Sequence, residues 1–257
     1  MVVFGSEVSG ETASRLVEWC LRLPGQTRFI ALGDYSNSRG ASDMGLLPDA
    51  LPGYGSVSDP VARERFELAW HAAPPAEPGL SLAEMLAAAD ERSLEALYVV
   101  GANPLKGRAP ADFRGKCFLV VQDLFLHETA QAADVVLPAA SAYEKSGTVT
   151  NTCGELQRLR KAMEVPGTRP DLEIFSLLAA ALGVELQASK AAWKTEEVLE
   201  EIRHLVPGYG VPLVNILAGG AEPVVPLDGY HPVTPGRDGN IHSAGDSLFT
   251  SGTVGRY

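Results

Sequence analysis

Short β-rich runs alternate with stretches of helical period from the first residues onward. Val2–Phe4 is followed by Glu11–Leu23, where Leu16, Trp19, Cys20 and Leu23 recur at helical spacing and Pro24-Gly25 closes the segment. A second strand, Arg28–Leu32 (RFIAL), comes next. Strand, helix, strand is a βαβ unit, and joining two strands through a helix makes them parallel. Asn37–Gly55 is rich in Gly and Pro and too broken for a long helix or strand. The alternation then resumes. Helices are expected at Pro60–Trp70 and at Ser81–Arg92, where Ser81 and Glu84 have capping-box spacing. Strands are expected at Leu94–Val100, Cys117–Val121 and Asp134–Leu137, with a short helix at Glu128–Ala133. Thr148–Asn151 and Leu156–Leu159 read as an irregular hairpin around Cys153-Gly154, and Asp171–Leu182 and Thr195–Leu205 as helices. The expected fold class is α/β, an open, mainly parallel sheet with flanking helices. Residues 1–207 form the main domain. Residues 208–257, Gly/Pro-rich with short runs such as VPLVNIL and SLFTSGTV, form an irregular tail that starts a further domain or serves in docking.

Composition narrows the function classes. The formal charge of −11 argues against nucleic-acid or anionic-membrane binding, which basic patches drive. Cys20, Cys117 and Cys153 are an odd, scattered set without a CxxC, so neither a disulfide framework nor a zinc or iron–sulfur site is expected, and a reducing compartment fits. No segment reaches the ~18 consecutive apolar residues of a membrane span, the longest candidate being Ile174–Val184. The N-terminus lacks the basic region of a signal peptide.

Ligands of open parallel sheets sit beyond the carboxyl ends of the strands. The predicted strands end in Gly5-Ser6, Gly33-Asp34, Gly101-Ala102-Asn103-Pro104 and Gln122-Asp123, which would line one rim. Gly permits close backbone approach, and Asn, Gln and Asp can bond a base or pterin edge. The plainer reading is that strand ends need turn residues anyway. GxGxxG, the P-loop and GxSxG are absent, and the five histidines form no ligand pair. His127 reads as a solvent-exposed or capping residue, and Glu144-Lys145 as a surface ion pair rather than an acid–base couple.

VVQDLFLHETAQAADVVLPAASAYEKSGTVTNTCGELQ, Val120–Gln157, resembles the molybdopterin oxidoreductase superfamily. So do, in order, Asn37-Ser38-Arg39-Gly40-Ala41, Asp43-Met44-Gly45, Leu51-Pro52-Gly53-Tyr54 and the Gly101–Pro104 turn. Within it, the NSRGA form and Ser247–Arg256 (SLFTSGTVGR) look like the G subunit, the large peripheral-arm component of NADH-quinone oxidoreductase (respiratory complex I). The resemblance implies a Rossmann-like domain descended from the half that binds the pterin dinucleotide. Its strand-end contacts would fall on Gly33, Asn37, Asn103, Pro104, Gln122, Asp123 and Asp134. It also implies that the iron–sulfur segments and the molybdenum-ligating residue lie in sequence this chain lacks, making it a fragment or split-gene product. The resulting expectation is a scaffold with no bound cofactor or redox centre of its own. Its partners would be the other peripheral-arm subunits, on the cytoplasmic side and without membrane insertion. The alternative is the half of a formate-dehydrogenase-like enzyme that holds molybdopterin guanine dinucleotide. A third possibility is a free-standing nucleotide-binding module.

Overall fold

The computed structural model describes residues 1–5, 7–8, 10–33, 35–184 and 194–224. In chain order the elements are β1 (Val2–Phe4), α1 (Gly10–Leu21), β2 (Phe29–Ala31), α2 (Ser38–Asp43), α3 (Pro60–Trp70), α4 (Leu82–Asp90) and β3 (Ala96–Val100). A 3-10 turn at Pro110–Asp112 leads to β4 (Phe118–Asp123), α5 (Glu128–Ala132), β5 (Val135–Pro138), β6 (Gly147–Thr150), β7 (Glu155–Leu159), α6 (Asp171–Ala181), α7 (Thr195–Leu205), α8 (Leu213–Ala218) and β8 (Ala221–Pro223). This is the expected mixed α/β architecture, with parallel sheets and flanking helices. Among the described residues no helix is long and apolar enough to cross a membrane.

The parallel strands do not form one sheet. β1 and β2 pair alone, Val2 opposite Phe29, while β3, β4 and β5 form a separate parallel sheet. β6, β7 and β8 make a third, in which β7 and β8 run antiparallel. The single rim expected from the strand ends is therefore corrected. Gly5 and Gly33 end strands of one sheet, and Gly101 and Gln122 end strands of another. Local periodicity specifies a strand but not its neighbour, and the long Gly/Pro-rich stretch and α3 come between β2 and the next strand.

The chain forms two compact units. In the described residues the first comprises 1–81, 149–158 and 201–224, and the second 82–148 and 159–200. The expected boundary at 207/208 lies inside the first unit, and most of the expected C-terminal extension, with SLFTSGTV, lies outside the described residues.

In the second unit one face of the sheet carries the core. Leu119 and Val121 of β4 and Val99 of β3 pack on Phe113 and Leu105 and on the alanines of α4 and α5, Ala89, Ala130 and Ala132. Alanine at those helix positions leaves room for the bulky strand side chains, the size complementarity that dense packing needs. In the first unit Leu51, Val57 and Phe66 form a smaller core with Ala62 and Leu205. α3 starts where Asp59 accepts the Val61 N–H at 3.0 Å with Pro60 behind it, and ends at His71 in the left-handed region. α2, a helix of six residues, forms inside the stretch that is too broken for a long one. Gly40 makes this possible, because a Cβ there would stand 2.1 Å from Asn37 Oδ1 and 3.1 Å from the Thr150 amide.

Candidate functional site

In the second unit, β3 and β4 run parallel and end together, with Val100 opposite Gln122. Their carboxyl ends bring Asn103, Gln122 and Asp123 to one edge, all buried. Gln122 Nε2 donates to Asp171 Oδ1 at 2.6 Å, and its Oε1 accepts from the Tyr98 hydroxyl. Asp171 opens α6, where a carboxylate suits the positive end of the helix, and its second oxygen accepts from Lys145 Nζ. The result is one polar chain, Tyr98–Gln122–Asp171–Lys145, from the sheet to the start of a helix.

Asn103 forms a second link. Its Oδ1 accepts from Thr129 Oγ1 at 2.8 Å, and its Nδ2 donates to Glu128 Oε2 at 2.8 Å. Thr129 Oγ1 in turn accepts from the Leu105 N–H at 3.1 Å, so the Gly101–Pro104 turn is fastened to α5. Asp123 closes the loop that follows β4: its Oδ1 accepts the Leu124 and Phe125 N–H groups at 2.7 and 3.2 Å. His127 caps α5, its Nδ1 accepting the Ala130 N–H at 3.3 Å. The ring proton is then on Nε2, which faces Asp123 Oδ2 at 3.2 Å. The capping reading of His127 is the one observed, but the side chain is buried rather than exposed.

Three positions behave differently. Pro104 is half-buried within the same turn. Gly101 has a φ of +59° with nothing within 4 Å of where a Cβ would stand, so the backbone there is open to close approach. Asp134 departs from the group. It precedes β5, at the amino end of that strand, and its Oδ2 accepts the Leu119 N–H at 2.8 Å near the start of β4. Glu144 and Lys145 are not paired with each other either. Glu144 is buried and accepts from the Ser141 N–H at 3.0 Å and Thr168 Oγ1 at 2.6 Å, while Lys145 bonds Asp171.

In the first unit the Asn-Ser-Arg-Gly-Ala-Ser-Asp stretch is the centre of a buried network. Asp43 accepts from the Tyr54 hydroxyl at 2.6 Å and the Tyr209 hydroxyl at 2.7 Å, with Arg39 Nε at 3.6 Å. Tyr209 donates to the carboxylate, so its 2.8 Å contact with Thr150 Oγ1 is accepted from the threonine. Burial, foremost, lifts the Tyr209 hydroxyl well above the ordinary phenol range. Asn37 Oδ1 accepts the Thr150 N–H at 2.9 Å. Beyond β2, a Cβ on Gly33 would stand 2.5 Å from Ser38 Cβ, so Gly33 is required by packing. Asp43 and Tyr54 stand within the motifs that carry the resemblance, but the sequence assigns them no role, and it does not single out Tyr98, Thr129, Asp171 or Tyr209. Asp171 carries a legible signal, an acidic residue directly after Pro170 at a helix start.

Chemically this arrangement holds loops in place. Among the described residues no three His, Cys, Asp or Glu side chains converge as a metal site. His127 has one nitrogen on a helix N–H and the other 3.2 Å from Asp123 Oδ2.

Three carboxylates are shifted downward by their bonds. Arg108 and then Lys116 hold Asp90 at about 2, Asn103 lowers Glu128, and Ser141 and Thr168 lower Glu144. A carboxylate that titrates lower when folded adds stability above its unfolded pKa and loses it as pH falls through the folded value. Stability to urea should therefore hold down to about pH 4.5 and fall from there toward about pH 2. Denaturation midpoints measured across that range check this, and a steady decline from neutral pH would contradict it.

Comparison with known proteins matches the same segments. The family described as Molybdopterin oxidoreductase matches residues 12–181. The G subunit (number 2) of NADH-quinone oxidoreductase from Rhizobium meliloti (strain 1021) is 42% identical over 210 residues, covering 78% of this chain and 24% of that protein. F420-dependent formate dehydrogenase 1 subunit alpha of Methanococcus maripaludis is 38% identical, covering 76% of this chain and 28% of that one. Formate dehydrogenase H of Escherichia coli (strain K12) is 36% identical, covering 68% and 25%. The chain thus spans about a quarter of the length of these relatives. A match over 12–181, more than half of the chain, places this chain in the molybdopterin oxidoreductase family.

Proposed function

We propose that this chain is a split or partial G subunit of a respiratory NADH-quinone oxidoreductase, serving as a scaffold in the peripheral arm. One observation carries this reading. At the carboxyl ends of β3 and β4, where a family member would meet its dinucleotide, the side chains of Asn103, Gln122 and Asp123 are buried and bonded within their own unit. As arranged, they do not fit the role of direct contacts to a guanine or pterin edge. Identity with a G subunit supports the same reading. Its place would be the cytoplasmic face of the membrane, held there by partner subunits.

The test is purification of the tagged chain from its native host under mild conditions. The other peripheral-arm subunits should co-purify in fixed ratio, and a chain recovered alone would contradict the proposal.

A second reading is favoured by the open backbone at Gly101 and by the formate dehydrogenase relatives. In it, the chain is the dinucleotide-binding half of a molybdenum enzyme whose remaining half is a separate polypeptide. Gly101 would then allow close approach, and molybdopterin would supply the redox chemistry.

A further inference from the structure

In the first unit Asp43 joins two phenols to one carboxylate. Tyr209 is 3% exposed, and its hydroxyl donates to Asp43 Oδ2 at 2.7 Å. Tyr54 donates to Oδ1 at 2.6 Å. The Tyr209 oxygen also accepts from Thr150 Oγ1 at 2.8 Å. α2 supplies the carboxylate, β6 the threonine and the segment after α7 the buried phenol, so three separate elements hold this geometry.

What sets a carboxylate apart from other acceptors is that it is also a base. Electron loss turns a phenol into a strong acid. In a buried ring the resulting cation is costly, and so is a phenolate formed by proton loss alone. Burial already holds the Tyr209 hydroxyl above the ordinary phenol range. Losing the electron and the proton together leaves no charge on the ring, and that route needs a base within hydrogen-bond distance of the hydroxyl. Tyr209 has one. Tyr98 donates instead to the amide oxygen of Gln122, which is not a base at neutral pH. Trp70 donates to Glu201 Oε1 at 2.9 Å, but it is 40% exposed.

We propose that Tyr209 is a redox-active tyrosine, the site at which a one-electron oxidising equivalent settles in this unit. The oxidant, a high-potential metal complex, takes one electron from the phenol. The Tyr209 O–H bond breaks, and the proton passes to Asp43 Oδ2, where a new O–H bond forms. The products are the reduced metal complex, a neutral phenoxyl radical and protonated Asp43. The new carboxyl proton and the Thr150 hydroxyl both donate to the radical oxygen, and burial keeps that oxygen from solvent. Asp43 Oδ1 still accepts from Tyr54 throughout.

The test uses the full-length chain with tris(bipyridine)ruthenium(II) and chloropentaamminecobalt(III), which generate ruthenium(III) on a light flash. Frozen samples are read by electron paramagnetic resonance, with ring-deuterated tyrosine to identify tyrosyl signals. A long-lived tyrosyl radical is expected. Tyr209→Phe and Asp43→Asn should each lower its yield at least about tenfold, equivalent to about 1.4 kcal/mol. Tyr54→Phe should keep most of the signal. In the unsubstituted protein the yield should not change with buffer concentration, because Asp43 takes the proton in place of a base from solvent. That last readout stands even where a variant fails to fold. A tryptophan signal, no radical, or a yield that rises with buffer concentration would overturn the proposal. So would a signal that survives Tyr209→Phe or Asp43→Asn undiminished, or one that is lost in Tyr54→Phe.

Discussion

Asp43→Ala should destabilise the protein by about 3–5 kcal/mol, the range for removing one partner of a buried charged network. Asp43 is 5% exposed and holds the hydroxyls of Tyr54 and Tyr209, with Arg39 beside it. Without the carboxylate the buried Tyr209 hydroxyl and the half-buried Tyr54 hydroxyl lose this acceptor, at about 1–3 kcal/mol for a buried one. Arg39 loses its counter-charge as well. The network joins α2, the loop after it, the β6 strand through Thr150 and the segment after α7 through Tyr209. The loss should therefore appear as a cooperative shift of the whole unfolding transition in urea. Asp43→Asn keeps one carbonyl acceptor and should cost less, about 1–2 kcal/mol. Equal losses for the two variants would show that the hydroxyl bonds do not carry the stabilisation.

Asp123→Ala should cost about 3 kcal/mol. The side chain is fully buried, and Oδ1 alone serves two backbone N–H groups. Removing it strands the Leu124 and Phe125 amides and takes away the carboxylate 3.2 Å from the buried His127 Nε2. Hydrogen exchange should rise most across 124–130, the loop and the start of α5, before the β4 amides respond. Asp123→Asn retains the Oδ1 acceptor and should keep most of that protection. Unchanged exchange in Asp123→Ala would contradict the structural role assigned to this carboxylate.

Most individual elements are legible in the sequence because local chemistry specifies them. α3 has the expected bounds, Pro60–Trp70, because an Asp-Pro start fixes its first turn and breakers follow its end. β3, β4 and β5 are legible from short apolar runs closed by turn residues. Which strands pair is not legible, since the βαβ pattern is the same whether β2 and β3 share a sheet or not. The misplaced member of the candidate site, Asp134, has a related cause. An acidic residue beside an apolar run looks the same at either end of a strand, and only the register with β4 shows that this one is at the amino end. The Asp43–Tyr209 bond joins residues 166 apart, which no spacing rule reaches. The motif residues themselves are visible in the sequence. What the structure adds is that their polar atoms bond one another.

Side chains bonded to one another in this way leave a dinucleotide little to hold, and metal and pterin content measures whether one is held. The chain, purified natively with whatever partners accompany it, is assayed for molybdenum and for released pterin fluorescence, each per mole of chain. The scaffold account predicts both far below stoichiometry while the peripheral-arm subunits are present. About one molybdenum and a matching pterin content per chain would contradict it.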